Sequence, residues 1–168
     1  MLIALIGLPG SGKSTVGQLL ALQLKLDFSD SDAIIETRLG ESIRSYFHSH
    51  GEFAFRDIEE QVIAELTQYK AGVLATGGGA VIRGINRKRL RLCSKVIYLR
   101  CSAELLCSRL KNDTQRPLLQ VDDPLVRLQD LYQQRDPLYR QTAHITMNAG
   151  RISAHSLANK IGMQLELG

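Results

Sequence analysis

Tryptophan is absent from these 168 residues, and aromatic residues together make up only 5%. No signature of a nucleic-acid-binding module is present either, so recognition through stacked bases is not expected. Cysteine is scarce. Cys93, Cys101 and Cys107 are odd in number and form no CxxC pair, which points to reduced thiols packed as small apolar groups. The four histidines, His48, His50, His144 and His155, show no metal-ligand spacing. No apolar run is long enough to span a membrane. Leu2–Ile6 has no basic segment before it and is interrupted at once by glycines, so it suits neither a signal sequence nor a membrane anchor. The expectation is a soluble, cytoplasmic protein. Low-complexity tracts, internal repeats and long Ser/Gly linkers are also missing, and residues 1–168 are expected to form one domain.

What remains is ordinary globular composition, 44% hydrophobic and 23% charged, with a formal charge of +4. The densest basic run holds Arg83, Arg87, Lys88, Arg89 and Arg91. It reads as a solvated helix face, and the basic balance suits an anionic small molecule. Leu2–Ile6, Phe28–Asp30, Val73–Thr76, Val96–Leu99 and His144–Met147 read as strands. Three of them are nearly continuous in apolar residues, as strands covered on both faces are. Helical spacing fills the gaps: Val16, Leu19, Leu20, Leu24; then Phe55, Ile58, Val62, Leu66, Tyr69; then Leu105, Leu106, Leu110; and finally Leu157, Ala158, Ile161, Leu165. Asp123-Pro124 is a cap and first-turn pair that opens a further helix through Leu125, Leu128, Leu131 and Tyr132. Alternating strands and helices predict an α/β fold of three layers, α/β/α, around a parallel sheet of about five strands. Ligands on such sheets bind at the carboxyl ends of the strands.

Gly7-Leu8-Pro9-Gly10-Ser11-Gly12-Lys13-Ser14 satisfies G-x-x-x-x-G-K-[ST] between a strand and a helix. Glycines there let backbone N–H groups turn inward onto phosphate oxygens, and the helix adds its positive end. Lys13 would reach the β- and γ-phosphates, and the Ser14 hydroxyl would ligate Mg²⁺. The loop therefore indicates a nucleoside triphosphate. The small size favours a small-molecule kinase, and no guanine-specifying N-K-x-D element is evident.

Five weaker elements follow. Asp30-Ser31-Asp32, read as extended, would direct its carboxylates to opposite sides, one to the metal and one to the acceptor. The same residues equally suit a solvated turn or a helix cap. Arg56 and Glu59, three apart on a helix, would preset a guanidinium for a carboxylate, or form an ordinary exposed ion pair. Gly77-Gly78-Gly79 after a strand allows close backbone approach to a ligand, or a flexible turn. Arg116-Pro117-Leu118-Leu119 sits in a polar segment, about 111–123, that reads as a mobile lid carrying one arginine. Arg135 ends its helix before an Asp136-Pro137 turn. Alone, either arginine is a surface charge.

In this order and spacing, from the phosphate loop to about Tyr139, the elements resemble the shikimate kinase family within the nucleoside monophosphate kinase-like P-loop fold. The resemblance implies transfer of the γ-phosphoryl of ATP to the 3-hydroxyl of shikimate, a step toward chorismate and the aromatic amino acids. It implies Mg²⁺ as cofactor, held through Ser14 and Asp30. Gly10, Ser11, Gly12, Lys13, Ser14 and Thr15 look like the phosphate cradle, with Arg109 on the adenine and Arg116 on the phosphates. Asp32 resembles the aspartate that grips substrate hydroxyls and aids loss of the acceptor proton. Arg56 and Arg135 look like the pair on the shikimate carboxylate, with Gly78 and Gly79 offering backbone contacts. Lys13, Asp32 and Arg116 would be the catalytic residues. One stretch departs from the family pattern: Asn148 stands where an aspartate is usual, and no proline follows it. Rival readings are a gluconate kinase of the same fold, a nucleotide-binding module without catalysis and, on charge alone, a nucleic-acid binder using the basic run from Arg83 to Arg91. A monomer with small-molecule partners, and neither nucleic acid nor membrane, is expected.

Overall fold

The computed structural model describes residues 1–111 and 123–167. The elements run β1 (Leu2–Ile6), α1 (Lys13–Leu24), β2 (Phe28–Asp30), α2 (Ser31–Leu39), α3 (Ile43–Leu66), β3 (Gly72–Ala75), α4 (Gly84–Cys93), β4 (Lys95–Arg100), α5 (Ala103–Leu110), α6 (Pro124–Thr142), β5 (Ile145–Asn148) and α7 (Ala154–Leu167). The five strands form one sheet in the order β2-β3-β1-β4-β5, and every neighbouring pair is parallel. The predicted α/β class, the parallel sheet and its five strands are all observed, with strand ends shifted by a residue or so.

The apolar run of β1 explains the layering. Ile3 and Leu5 face one side and pack with Val16, Leu20, Leu157 and Ile161 of α1 and α7. Ala4 and Ile6 face the other and pack with Val62, Leu90, Leu106, Leu128 and Tyr139 from α3 to α6. Side chains alternate along a strand, so a strand covered on both faces must be apolar at every position.

Several ends follow the local chemistry of the chain. Asp123 caps α6, its carboxylate accepting from Val126 N at 3.2 Å, with Pro124 in the first turn, as the sequence predicts. Ser42 and Ser102 cap α3 and α5 in the same way. Within α3 the backbone leaves helical geometry at Gly51 (φ 82°), so the element is two helical pieces meeting at a glycine.

Three expectations change. The Asp30–Asp32 segment is extended only at Asp30, and the helix-cap alternative is the one observed, with α2 opening at Ser31. Asp30 ends β2 and caps α2, accepting from Asp32 N and Ala33 N, because an aspartate before a helix satisfies amides that have no partner within it. Asp136-Pro137 is not a turn, since α6 runs through Pro137 to Thr142. Gln133 and Pro137 are both exposed, so the carbonyl freed by the missing N–H faces solvent. Finally, the basic run on α4 is only partly a solvated face. Arg83 pairs with Asp57 at 2.6 Å and Glu60 at 3.3 Å, Arg87 donates to the carbonyls of Val81 and Ile82, and Arg91 donates to Thr142 and Ala143.

Ile97, fully buried on β4 against the α1/α7 layer, tests this core. Ile97→Ala is expected to lower unfolding free energy by about 2–5 kcal/mol. A urea titration checks it through a lower midpoint at unchanged slope.

Candidate active site

The carboxyl ends of β1, β2 and β3 open into one cleft of about 650 Å³. The phosphate loop forms one wall. Gly10 and Gly12 adopt positive φ (84° and 95°), which lets the loop curl before α1 begins at Lys13. Gly10, Gly12, Lys13, Ser14 and Thr15 line the cleft. Lys13 is mostly buried, and its ammonium donates to the carbonyls of Gly7 at 2.7 Å and Leu8 at 3.0 Å. The lysine is thus held over its own loop, where a phosphate would lie. Ser11 is placed differently. Its N–H donates to Leu8 O, and its hydroxyl is buried without a hydrogen-bond partner. Arg109 lies at the side of the loop, its guanidinium donating to Gly10 O at 3.1 Å and Ala149 O at 3.4 Å. It therefore ties the phosphate loop to the segment after β5. Arg116 and the Arg116–Leu119 stretch lie outside the described residues.

Asp30 works at both its oxygens. One caps α2, and the other accepts from the Ser14 hydroxyl at 2.5 Å. Ser14 and Asp30 thus present a hydroxyl and a carboxylate side by side. Hard oxygen donors of this kind suit Mg²⁺, which takes few protein ligands and fills the rest with water and phosphate. Ser31, fully buried between the two aspartates, accepts from Gly77 N at 3.1 Å and so fixes α2 against the glycine turn.

The turn itself shows why three glycines stand together. None of the three has positive φ, so backbone freedom is not the reason. A Cβ on Gly77 would strike the Asp32 carboxylate, one on Gly78 would meet Pro9 and the Arg135 guanidinium, and one on Gly79 would collide with the Arg56 guanidinium. The predicted close approach is real, and in this structure the approaching groups are the site's own side chains.

Arg56 is not on an exposed face. It is 8% exposed, and it donates to Glu59 at 2.8 Å and to Glu52 at 3.2 Å. Glu59 is 1% exposed. Burial pushes its carboxyl above the usual range, and the Arg56 guanidinium offsets this only in part. Arg135 is buried as well, one helical turn before Tyr139, and its charge acts on that phenol. The structure therefore brings Lys13, Ser14, Asp30, Asp32, Arg56, Gly78, Gly79 and Arg135 to one cleft. The same cleft is lined by Arg44, Glu36, Glu52, Phe47 and Arg127, which sequence reasoning missed. Only Arg127 left a signal: it precedes Arg135 by eight residues on one helix, about 12 Å along the axis.

A phosphate loop at the end of a parallel strand, facing a buried pair of arginines across one cleft, defines a P-loop kinase of a small anionic acceptor. The shikimate kinase family model matches residues 9–166. The chain is 54% identical over 168 residues to the shikimate kinase of Paracidovorax citrulli, covering 98% of this chain and 92% of that protein. Among solved structures, shikimate kinase from Acinetobacter baumannii in complex with shikimate is 46% identical with a TM-score of 0.95, covering 99% of this chain and 92% of that one. Shikimate kinase from Aquifex aeolicus is 31% identical with a TM-score of 0.86, covering 99% and 96%. The chain belongs to the shikimate kinase family.

The buried Glu59 makes a prediction about pH. Its folded pKa is raised, so its contribution to stability is full below its unfolded value of about 4.3 and falls as pH rises through the folded value. Glu59→Gln removes that titration. Relative to the parent, the variant is expected to gain stability between pH 4 and pH 7. Urea midpoints at the two pH values check this, and a gain in the opposite direction contradicts the burial argument.

Proposed function

We propose that the protein transfers the γ-phosphoryl group of ATP to the 3-hydroxyl of shikimate, giving shikimate 3-phosphate and ADP. The observation that carries the reading is the pairing in one cleft of the phosphate loop with Arg56 and Arg135, both buried and both set against the glycine turn. Two fixed guanidiniums suit a carboxylate on the acceptor, and Asp32 beside the turn suits its hydroxyls. The A. baumannii relative holds shikimate, and this chain matches it over 99% of its length.

In this reading Gly10, Ser11, Gly12, Lys13, Ser14 and Thr15 receive the ATP phosphates. Lys13 exchanges its bonds to the loop carbonyls for the β- and γ-phosphates. Ser14 and Asp30 hold Mg²⁺, which when bound neutralises phosphate charge. Arg56 and Arg135 bind the acceptor carboxylate, while Gly78 and Gly79 border its hydroxyls. Asp32 orients the attacking hydroxyl and accepts its proton as the new O–P bond forms and the bond to the ADP oxygen breaks. Positioning and electrostatics supply most of the rate. Lys13 neutralises developing charge, joined by Arg116 from the 111–123 segment, and Arg109 flanks the adenine. Residues 1–168 act as one kinase domain, a cytoplasmic monomer with small-molecule partners alone. No helix among the described residues is long and apolar enough to cross a membrane. Internal partners for Arg83, Arg87 and Arg91 weaken the nucleic-acid alternative.

The test is ADP release from MgATP with shikimate, gluconate and a nucleoside monophosphate in parallel. Turnover with shikimate alone is expected. A protein that binds ATP yet turns over none of them would instead be a silent nucleotide-binding module. Lys13→Ala is expected to lower kcat by orders of magnitude in a folded protein, and near-normal turnover would remove the phosphate-loop assignment. Arg56→Ala is expected to weaken shikimate binding by about 2–5 kcal/mol while the KM for ATP stays put. Initial-rate kinetics with each substrate varied in turn separate the two effects.

A further inference from the structure

Tyr139 belongs to no step above, yet it is among the largest fully buried side chains. A phenol hydroxyl has one proton to donate and lone pairs to accept with. Here the proton is used on the acceptor side of the cleft. The hydroxyl donates to Gly78 O at 2.6 Å, and the Arg135 guanidinium lies close enough for its charge to act on the phenol. Those two groups already meet: Arg135 Nη1 lies 3.4 Å from where a Cβ on Gly78 would be. Arg135 and Tyr139 are four apart on α6, the spacing at which helical side chains are neighbours.

The ring end is fixed as firmly as the hydroxyl end. It packs on Tyr98 of β4 with centroids 4.9 Å apart. Tyr98 in turn donates to Asp136 Oδ1 at 2.6 Å, and Arg140 holds the other carboxylate oxygen at 2.9 Å. The phenol therefore has no room to swing, and its oxygen is a fixed point between the helix and the turn.

We propose that Tyr139 is a positioning residue for the acceptor site, its hydroxyl fixing the Gly78 carbonyl and so the glycine turn against which the Arg135 guanidinium is set. The inference rests on the reading of Arg135 as a ligand of the acceptor carboxylate. Burial pushes the phenol pKa well above its ordinary value, so the donor is kept throughout the pH range of an assay. Phenylalanine at this position preserves the ring packing and removes only the hydroxyl and its bond to Gly78.

The experiment is steady-state kinetics and thermal melting of four variants: Tyr139→Phe, Tyr98→Phe, Arg135→Ala and the double variant Arg135→Ala/Tyr139→Phe. Tyr139→Phe is expected to raise the shikimate KM about tenfold, the size of one hydrogen bond, with kcat and the KM for ATP within about twofold. Tyr98→Phe loses an equally buried hydroxyl that reaches Asp136 and not the cleft. It should lower Tm and leave the shikimate KM within about twofold. If Tyr139→Phe behaves like Tyr98→Phe, or lowers kcat and raises both KM values together, its role is structural and the proposal falls. In the double variant Tyr139→Phe should add less than about twofold to Arg135→Ala, and a full tenfold addition overturns action through the arginine. A raised shikimate KM in Arg135→Ala beside an unchanged one in Tyr139→Phe removes this inference alone. An unchanged KM in Arg135→Ala removes the carboxylate reading itself.

Discussion

Where three successive α-carbons carry no side chain, the space they leave is taken by Asp32, by Pro9 with Arg135 beside it, and by Arg56, the three charged groups arriving from three different helices. This exclusion constraint sets the acceptor half of the cleft. It works only because the turn is itself immobile. Thr76 donates to Leu5 O through both its N–H and its hydroxyl, Gly77 N donates to Ser31, and Gly78 O accepts from Tyr139. The backbone is anchored to β1, to α2 and to α6, so side chains packed against it inherit a fixed position. A methyl group inserted here would cost about 1–3 kcal/mol in overpacking. Its larger effect would be on geometry, because reacting groups displaced by an ångström lose much of the advantage of orientation.

The Arg56–Glu59 pair shows that this arrangement is not optimised for stability. Exposed pairs such as Arg38–Glu65 contribute little, because water screens them. A buried pair loses solvation that its mutual attraction barely replaces, and the raised pKa of Glu59 reports that the loss exceeds the gain for the carboxylate. The pair is better understood through what it holds. Glu59 from one side and Glu52 from another leave the guanidinium one orientation, with its remaining edge against Gly79. A preset arginine loses little freedom on meeting a carboxylate.

Most of the fold was legible because its signals are local or periodic. Continuous apolar strands, helical spacing and the Asp123-Pro124 cap each name their own structure. The phosphate loop was legible because motif and context coincide. Other features were hidden for physical reasons. Asp30 could be an extended residue or a cap, and only the position of α2 decides. Arg44 and Arg127 are exposed helix residues whose place at the cleft comes from packing between elements distant in sequence. The glycine turn announced close approach but not the approaching group, since the groups come from residues 32, 56 and 135.

Pro137 links these points. A proline inside a helix costs about 3 kcal/mol against alanine, which made a turn the reasonable expectation. Yet Tyr139 reaches Arg135 only if the helix continues, because a break at Pro137 would rotate the phenol away from the one-turn spacing. Continuing also places Asp136 under Tyr98 and Arg140 against Asp136. Asp136 and Tyr139 lie on the buried side of α6 and Arg140 at its exposed edge, while the bond lost to proline lies on the wet side, where water can serve the Gln133 carbonyl. The helix is thus held through its weakest point by the residues that set the cleft, so the stability of its last turns and the geometry of the acceptor site depend on the same buried contacts.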